Sequence, residues 1–455
     1  MFSRFVRAFW GEMTKGELIK FSILSATLML ILGDYWMLRT LKNALFNDLV
    51  GYQHQPFAKI LSVFFIALVV LFYSKLVDML QKHNLFYLLA TIYGVLFVVL
   101  GYLSGKPELV SLSSSSSLFP FFSWIPGKAL GWTLYLLIES FGSVIVVLFW
   151  SLVASTTKAV SAKKGYGMIL FFTQIGTITG PFLITAYAQT VGSPFMFMLG
   201  GVAILITPFL VKLYMTAVPA EDLISDNKES KNKAKTGFLE GLKLLFTRPY
   251  VLGIFAVATF YEVVGKILEF QMNMIATTQV FVGNRDAFAA FGGKYGMSVN
   301  TLALLFALLG TSFFMRKFGL RFCLLAFPTT IALLLVSILL VYTGITQYTL
   351  MWFLFVAMVA IKGLSYALNN PTKEIMYIPT SKDVKFKAKG WIDMFGNRST
   401  KGVGAGINAV FSKSLSDLLL YGTIVSLGVV GIWILIASFV GKTFNKLEEE
   451  HKIVE

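Results

Sequence analysis

An all-α polytopic membrane protein, with twelve transmembrane helices in two six-helix bundles, is the architecture this amino-acid sequence specifies. Three observations carry that reading. Of 455 residues, 56% are hydrophobic and only 14% charged, against about a quarter charged in a soluble globular chain. The apolar residues fall in continuous blocks of about 18–25, the length a helix needs to cross a hydrocarbon core. The basic residues concentrate in alternate intervals between those blocks, as the positive-inside rule requires. Such a composition excludes a soluble globule, and the apolar excess excludes a disordered chain.

Taken in order, the blocks run near 19–38, 57–74, 84–104, 128–154, 165–190 and 193–216, then 249–271, 298–315, 319–342, 347–369, 391–412 and 418–441. The eleventh is weakened by Asp393, Arg398 and Lys401. Before the first block, Arg4, Arg7, Lys15 and Lys20 surround Phe2, Phe5, Phe9 and Trp10. That pattern reads as an interfacial amphipathic helix, not as a cleaved signal or transit peptide. With both termini cytoplasmic, the inside intervals hold about 27 of the 39 Lys and Arg residues, an asymmetry that fixes orientation. Ala220–Lys235 is the longest charged interval, and an amphipathic stretch follows it at Gly237–Phe246. It divides the chain into a first bundle at 1–216, a central cytoplasmic loop at 217–248 and a second bundle at 249–455. Two bundles that rock about a midplane site are the transport architecture this layout suggests. The interval Gly105–Gly127, with serines at 113–117, reads as a solvated outer linker. Gly283–Met297 reads as an outer loop holding a short helix.

Chemistry is bounded by what the sequence lacks. A lone Cys323 makes no intramolecular disulfide, and His54, His83 and His451 lie too far apart to pair on a metal. No Ser/His/Asp set or Cys/His dyad supports an enzyme, and no cofactor motif is present. Gly402, Gly404 and Gly406 mimic a nucleotide-binding glycine loop, but no strand precedes them. The spacing of Gly402 to Gly406, like that of Gly176 to Gly180 before Pro181, predicts close helix packing.

Charges inside the spans are the informative residues, because each costs about 2.5–3.5 kcal/mol at mid-membrane unless it faces a cavity or a partner. They are Asp34, Arg39 and Lys42 in and at the end of the first span, Glu139 in the fourth and Glu262, Lys266 and Glu269 in the seventh. Lys362 lies in the tenth and Asp393, Arg398 and Lys401 in the eleventh. Glu262, Lys266 and Glu269 share one helix face and can pair, and Arg39/Lys42 and Arg398/Lys401 each sit three apart. One basic pair from each half suits a polyphosphate, with the acids pairing to those cations or carrying a proton. Three bland readings compete: Arg39 as an interface marker, Lys362 as a snorkelling side chain and Asp34 as a structural partner of a cation.

At these residues the sequence resembles a known family. Arg39-Thr-Leu-Lys42-Asn-Ala-Leu45 resembles the Arg-Asp-Thr-Lys-Asp-Thr-Leu signature of the nucleotide transporter (ATP/ADP translocase) family of intracellular bacteria and plastids. Glu139-Ser-Phe-Gly-Ser143 with Phe149-Trp150 looks like its Glu-Leu-Trp-Gly-Ser…Phe-Trp segment, and Glu262-Val-Val-Gly-Lys266 like Glu-Val-Thr-Trp-Lys. The longest match is Thr372-Lys373-Glu374-Ile-Met-Tyr377-Ile-Pro379, continued by Lys387-Ala-Lys389-Gly390, Ile392-Asp393 and Arg398-Ser-Thr-Lys401-Gly402. Thr40, Asn43, Gly265 and Gly402-Val403 depart from the family pattern. Shorter echoes at Gly16-Glu17-Leu18 and Arg316-Lys-Phe-Gly319 keep the motif order along the chain.

The resemblance implies a major-facilitator-like carrier in a bacterial inner membrane that imports ATP in exchange for ADP, with or without phosphate. It implies Lys42, Glu139, Glu262 and Lys401 as residues required for transport, with Arg39 and Arg398 as phosphate partners, and the span charges add Lys266 and Asp393 to the candidate substrate site. Asp34, Glu269 and Lys373 are candidates for coupling or gating, and Tyr377 and Phe395 for the adenine. The lipid bilayer is the expected partner, with no nucleic acid and no obligate protein partner. Two alternatives stay open: a proton-coupled nucleotide importer using Asp34, Glu139 or Glu262, and a non-transporting membrane scaffold. Exchange requires an empty carrier that reorients poorly, and unpaired cations in the cavity are one expected source of that barrier.

Overall fold

The computed structural model describes residues 12–106, 126–223, 243, 245–309, 312–381, 384, 388–392, 396–450 and 452–454. Twelve helices of 15 residues or more fill the described chain: α1 (Lys15–Leu49), α2 (Gln55–Met79), α3 (Lys82–Gly105), α4 (Ala129–Ser155), α5 (Ala159–Val191), α6 (Ser193–Ala217), α7 (Pro249–Ile275), α8 (Arg285–Leu309), α9 (Ser312–Val341), α10 (Gln347–Leu364), α11 (Asn397–Phe411) and α12 (Leu415–Glu449). They occupy the twelve apolar blocks. Among the described residues, ten helical runs are long and apolar enough to cross a membrane, and α8 and α11 are not among them. The protein is a multi-pass membrane protein. Gly105–Gly127, Ala220–Lys235, Gly237–Phe246 and the N-terminal segment lie largely outside the described residues.

Local chemistry sets the helix ends. Thr14 caps α1 by accepting from the Glu17 N–H at 3.1 Å, and Glu17 returns the favour to the Thr14 N–H, a reciprocal capping box. From there α1 runs 35 residues without a break, so Arg39 and Lys42 sit inside the helix and not at its end. Seven residues, about 10 Å of rise, separate Lys42 from Leu49. α8 starts at Arg285 because Gly283 turns the backbone at φ +67° and Asn284 caps the Ala287 N–H at 3.0 Å. The segment expected as an outer loop is therefore the first half of a continuous helix. Single-turn π-helices extend α7 at Ala276–Val280 and α10 at Ser365–Asn369, and the latter leads into the helix Asn370–Met376.

The chain forms two compact units. Unit 1 comprises 1–52, 64–231 and 283–300; unit 2 comprises 53–63, 232–282 and 301–455. In unit 1, α1 packs between α5, α6 and α4. A Cβ on Gly180 would lie 1.9 Å from the Gly33 carbonyl oxygen, and one on Gly176 would lie 2.2 Å from that of Met29, so only glycine permits this crossing. Phe97 meets the edges of Phe141 and Phe197 at 5.3 and 5.7 Å between centroids. Buried Lys20 donates to the carbonyls of Thr156 and Asp222, each at 2.5 Å, and so satisfies the end of α4. The start of α8 is anchored in the same unit: Asp286 accepts from the Ser193 N–H, and Arg285 pairs with Asp48 at 2.8 Å.

In unit 2, α7 is the buried centre, packed against α12, α11 and α10. Gln271 on α7 donates to the Leu418 carbonyl and to Thr423 on α12, and Asn408 on α11 donates to the Lys266 carbonyl at 3.1 Å. The glycine prediction for α11 needs correcting. Among the described residues, a Cβ on Gly402 or Gly406 would meet nothing within 4 Å, whereas one on Gly404 would come within 2.9 Å of the Val263 oxygen. The close approach uses the middle glycine. Beyond α12, Val454 donates to the Pro379 carbonyl and accepts from the Ser381 N–H, and its side chain packs on buried Val251, Val384 and Ala388.

Candidate functional site

Each unit holds one centre where span charges meet. In unit 1, Lys42 of α1 and Glu139 of α4, carried by separate sequence motifs, form an ion pair at 2.5 Å. Lys42 is only 4% exposed, and its ammonium lies 4.1 Å from the centroid of the Tyr135 ring. Tyr135 is held by Phe46 at 5.2 Å, which in turn meets Trp132. The cation thus has a carboxylate on one side and an aromatic face on another, a geometry that tolerates burial. Arg39 lies over Trp36 at 5.0 Å, its guanidinium stacked on the ring.

In unit 2, Lys266 pairs with Glu269 one turn on, while Glu262 pairs with Lys401 of α11 at 3.5 Å. Glu262 thus serves a cation from another helix. Lys401, Lys362, Lys266 and Lys373 are all electrostatic neighbours of this one carboxylate. Arg398 is exposed and makes no ion pair among the described residues, although it shares a helix face with Lys401. Glu374 pairs with Lys389 at 2.6 Å, and Lys389 lies 5.7 Å from the ring of buried Tyr377. Asp393 and Phe395 lie outside the described residues.

Asp34 is buried with both carboxyl oxygens lacking a hydrogen-bond partner among the described residues, and a Cβ on Gly200 of α6 would lie 2.7 Å from one of them. Among those residues it pairs with no cation, against its reading as a structural partner of one. Lys362 lies over the Tyr261 ring at 5.0 Å. Lys42, Lys266 and Lys401 each face a carboxylate, the acid–cation pairing that the span charges offered. Sequence reasoning also missed Tyr135. Its signal was available, since it precedes Glu139 by four residues and so shares its helix face.

Against known proteins, the family model described as "TLC ATP/ADP transporter" matches residues 1–444. The chain belongs to the TLC ATP/ADP transporter family. It is 25% identical over 437 residues to the ADP,ATP carrier protein 1 of Rickettsia prowazekii, covering 86% of this chain and 85% of that one. It is 26% identical over 481 residues to the chloroplastic ADP,ATP carrier protein 2 of Arabidopsis thaliana, covering 93% and 74% of the two chains. Among solved structures, a bacterial homologue of the iron transporter ferroportin in an inward-facing state matches with a TM-score of 0.64 at 11% identity. That match covers 94% of this chain and 100% of the other, and it places this TLC family member in a major-facilitator-like fold. The family and its structural neighbours are transporters, not enzymes. In this TLC chain Lys42 and Glu139 meet in one ion pair, and Glu262 and Lys401 in another.

Proposed function

We propose that this protein exchanges ATP for ADP across a bacterial inner membrane by alternating access, with both termini cytoplasmic and the halves 1–216 and 249–455 as the rocking bundles. Family membership and carrier relatives support the substrates. The observation that carries the mechanism is that both units present a lysine held against a glutamate from another helix, Lys42 to Glu139 and Lys401 to Glu262. An ammonium has three donors, so each lysine can keep its glutamate and still take a phosphate oxygen. The glutamate is then a positioning residue that sets where the ammonium points. Arg39 and Arg398 add planar forks suited to phosphate.

Proteoliposomes test this directly. Uptake of labelled ATP should need internal ADP and persist when the proton gradient is collapsed. An orthophosphate-loaded arm reads whether phosphate also travels. Uptake without internal nucleotide that an uncoupler abolishes would instead establish a proton-coupled importer. That second reading has one observation in its favour, the buried Asp34 carboxyl with no hydrogen-bond partner.

A further inference from the structure

The structure assigns Lys362, seated on the ring of Tyr261, as a further phosphate-binding residue of the unit 2 centre, one that weighs ATP against ADP. The inference rests on the nucleotide-site reading above. Its starting point is position. Lys362 is the sixteenth residue of a helical run that continues through a π turn from Gln347 to Met376, 30 residues in all. At 1.5 Å per residue it lies roughly 21 Å from either end of that run, and its ammonium turns to a ring buried within the unit.

The second observation is where the side chain goes. Its ammonium lies 5.0 Å from the centroid of the Tyr261 ring. That ring is 3% exposed and backed by Phe327 at 5.4 Å, which is backed by buried Trp433 at 5.5 Å. A column of three packed aromatics from α7, α9 and α12 thus ends in a cation. Aromatic faces hold desolvated cations by electrostatic attraction to the ring quadrupole, and the packed column removes the rotamer freedom that an exposed lysine would lose on binding.

The third is charge balance. Glu262 follows Tyr261 directly, and Lys362 joins Lys401, Lys266 and Lys373 around it. Four ammonium groups thus act on the Glu262 carboxylate. A polyphosphate is the ligand class that suits such a cluster of cations, and each extra phosphate draws more from every cation present. The π turn at Ser365–Asn369 begins three residues after Lys362, an irregularity that recurs at functional sites.

The test is the exchange assay with Lys362→Gln, Lys362→Arg and Lys401→Gln, reading half-saturation for ATP and for ADP separately. Lys362→Gln should raise the ATP value roughly tenfold, the loss expected of one charge-assisted contact, and the ADP value by less. Lys362→Arg should keep the ATP/ADP ratio. Should Lys362→Gln fail to reach the membrane, Tyr261→Leu keeps the charge but removes its seat and should shift the ratio in the same direction, while Tyr261→Phe should not. Unchanged values in Lys362→Gln while Lys401→Gln loses affinity would overturn the role of Lys362 and leave the site standing. Unchanged values in both would remove the site reading itself, and this inference with it.

Discussion

Lys42 and Glu139 show how a single pair separates structure from transport. Removing one member of a buried ion pair leaves an uncompensated charge and costs about 3–5 kcal/mol. Lys42→Ala should therefore lower thermal stability in detergent as well as nucleotide affinity. The double variant Lys42→Met with Glu139→Gln should recover stability but not ATP binding, which isothermal titration reads alongside the melt. A double variant that binds ATP normally would remove Lys42 from the site. Asp34 gives the opposite kind of residue. Its carboxyl is buried against α6 without a hydrogen-bond partner, so Asp34→Asn replaces it with a neutral isostere. Exchange should continue at near-normal rate, measured as ATP uptake into ADP-loaded vesicles; its abolition would move the protein to the proton-coupled class. Residues of this kind were legible in the sequence because charge in a span is costly wherever it sits. Their partners were only half legible. Spacing pairs Glu262 with Lys266 on one helix, yet the Glu262 partner comes from α11, and local periodicity carries no information about a contact 139 positions away.

At the scale of elements, glycines test the packing. Gly404 of α11 approaches the α7 backbone, while Gly402 and Gly406 have no neighbour within 4 Å among the described residues. Gly404→Ala should destabilise the protein by about 1–3 kcal/mol through forced separation of the helices. Gly402→Ala should be neutral or stabilising by up to about 1 kcal/mol, because it adds helix propensity without a clash; comparative melting of the two variants checks both. The sequence presents three glycines at alternate positions, and a spacing of four selects the outer two. Only the partner helix picks the middle one. The same limit explains α8. Arg285, Asp286 and Lys294 depress the apolar signal before 298, so a window sensitive to hydropathy begins the helix thirteen residues late. Their partners, Asp48 for Arg285 and Ser193 for Asp286, are far away in sequence. The long apolar runs, by contrast, were legible throughout, because lipid demands continuous backbone pairing within each span. The π turns left no trace in the pattern.

For the whole molecule, most of the basic residues behind the +16 formal charge lie between spans, where the positive-inside rule makes them a topological signal, and a few others join the two charge centres. ATP carries about one more negative charge than ADP, and moving one charge across 100 mV is worth about 2.3 kcal/mol. One-for-one exchange should therefore respond to voltage. With a potassium diffusion potential, ATP uptake against internal ADP should slow as the interior becomes negative. A rate independent of potential would mean that a further ion moves to balance the charge.

The backbone of Val454 pairs in strand-like fashion with Pro379 and Ser381. It joins the end of the described chain to the segment that follows Lys373 and Tyr377, where Lys389 meets Glu374. A label at Val454 therefore sits against Pro379 and Ser381 and becomes a local probe of the segment that follows Tyr377.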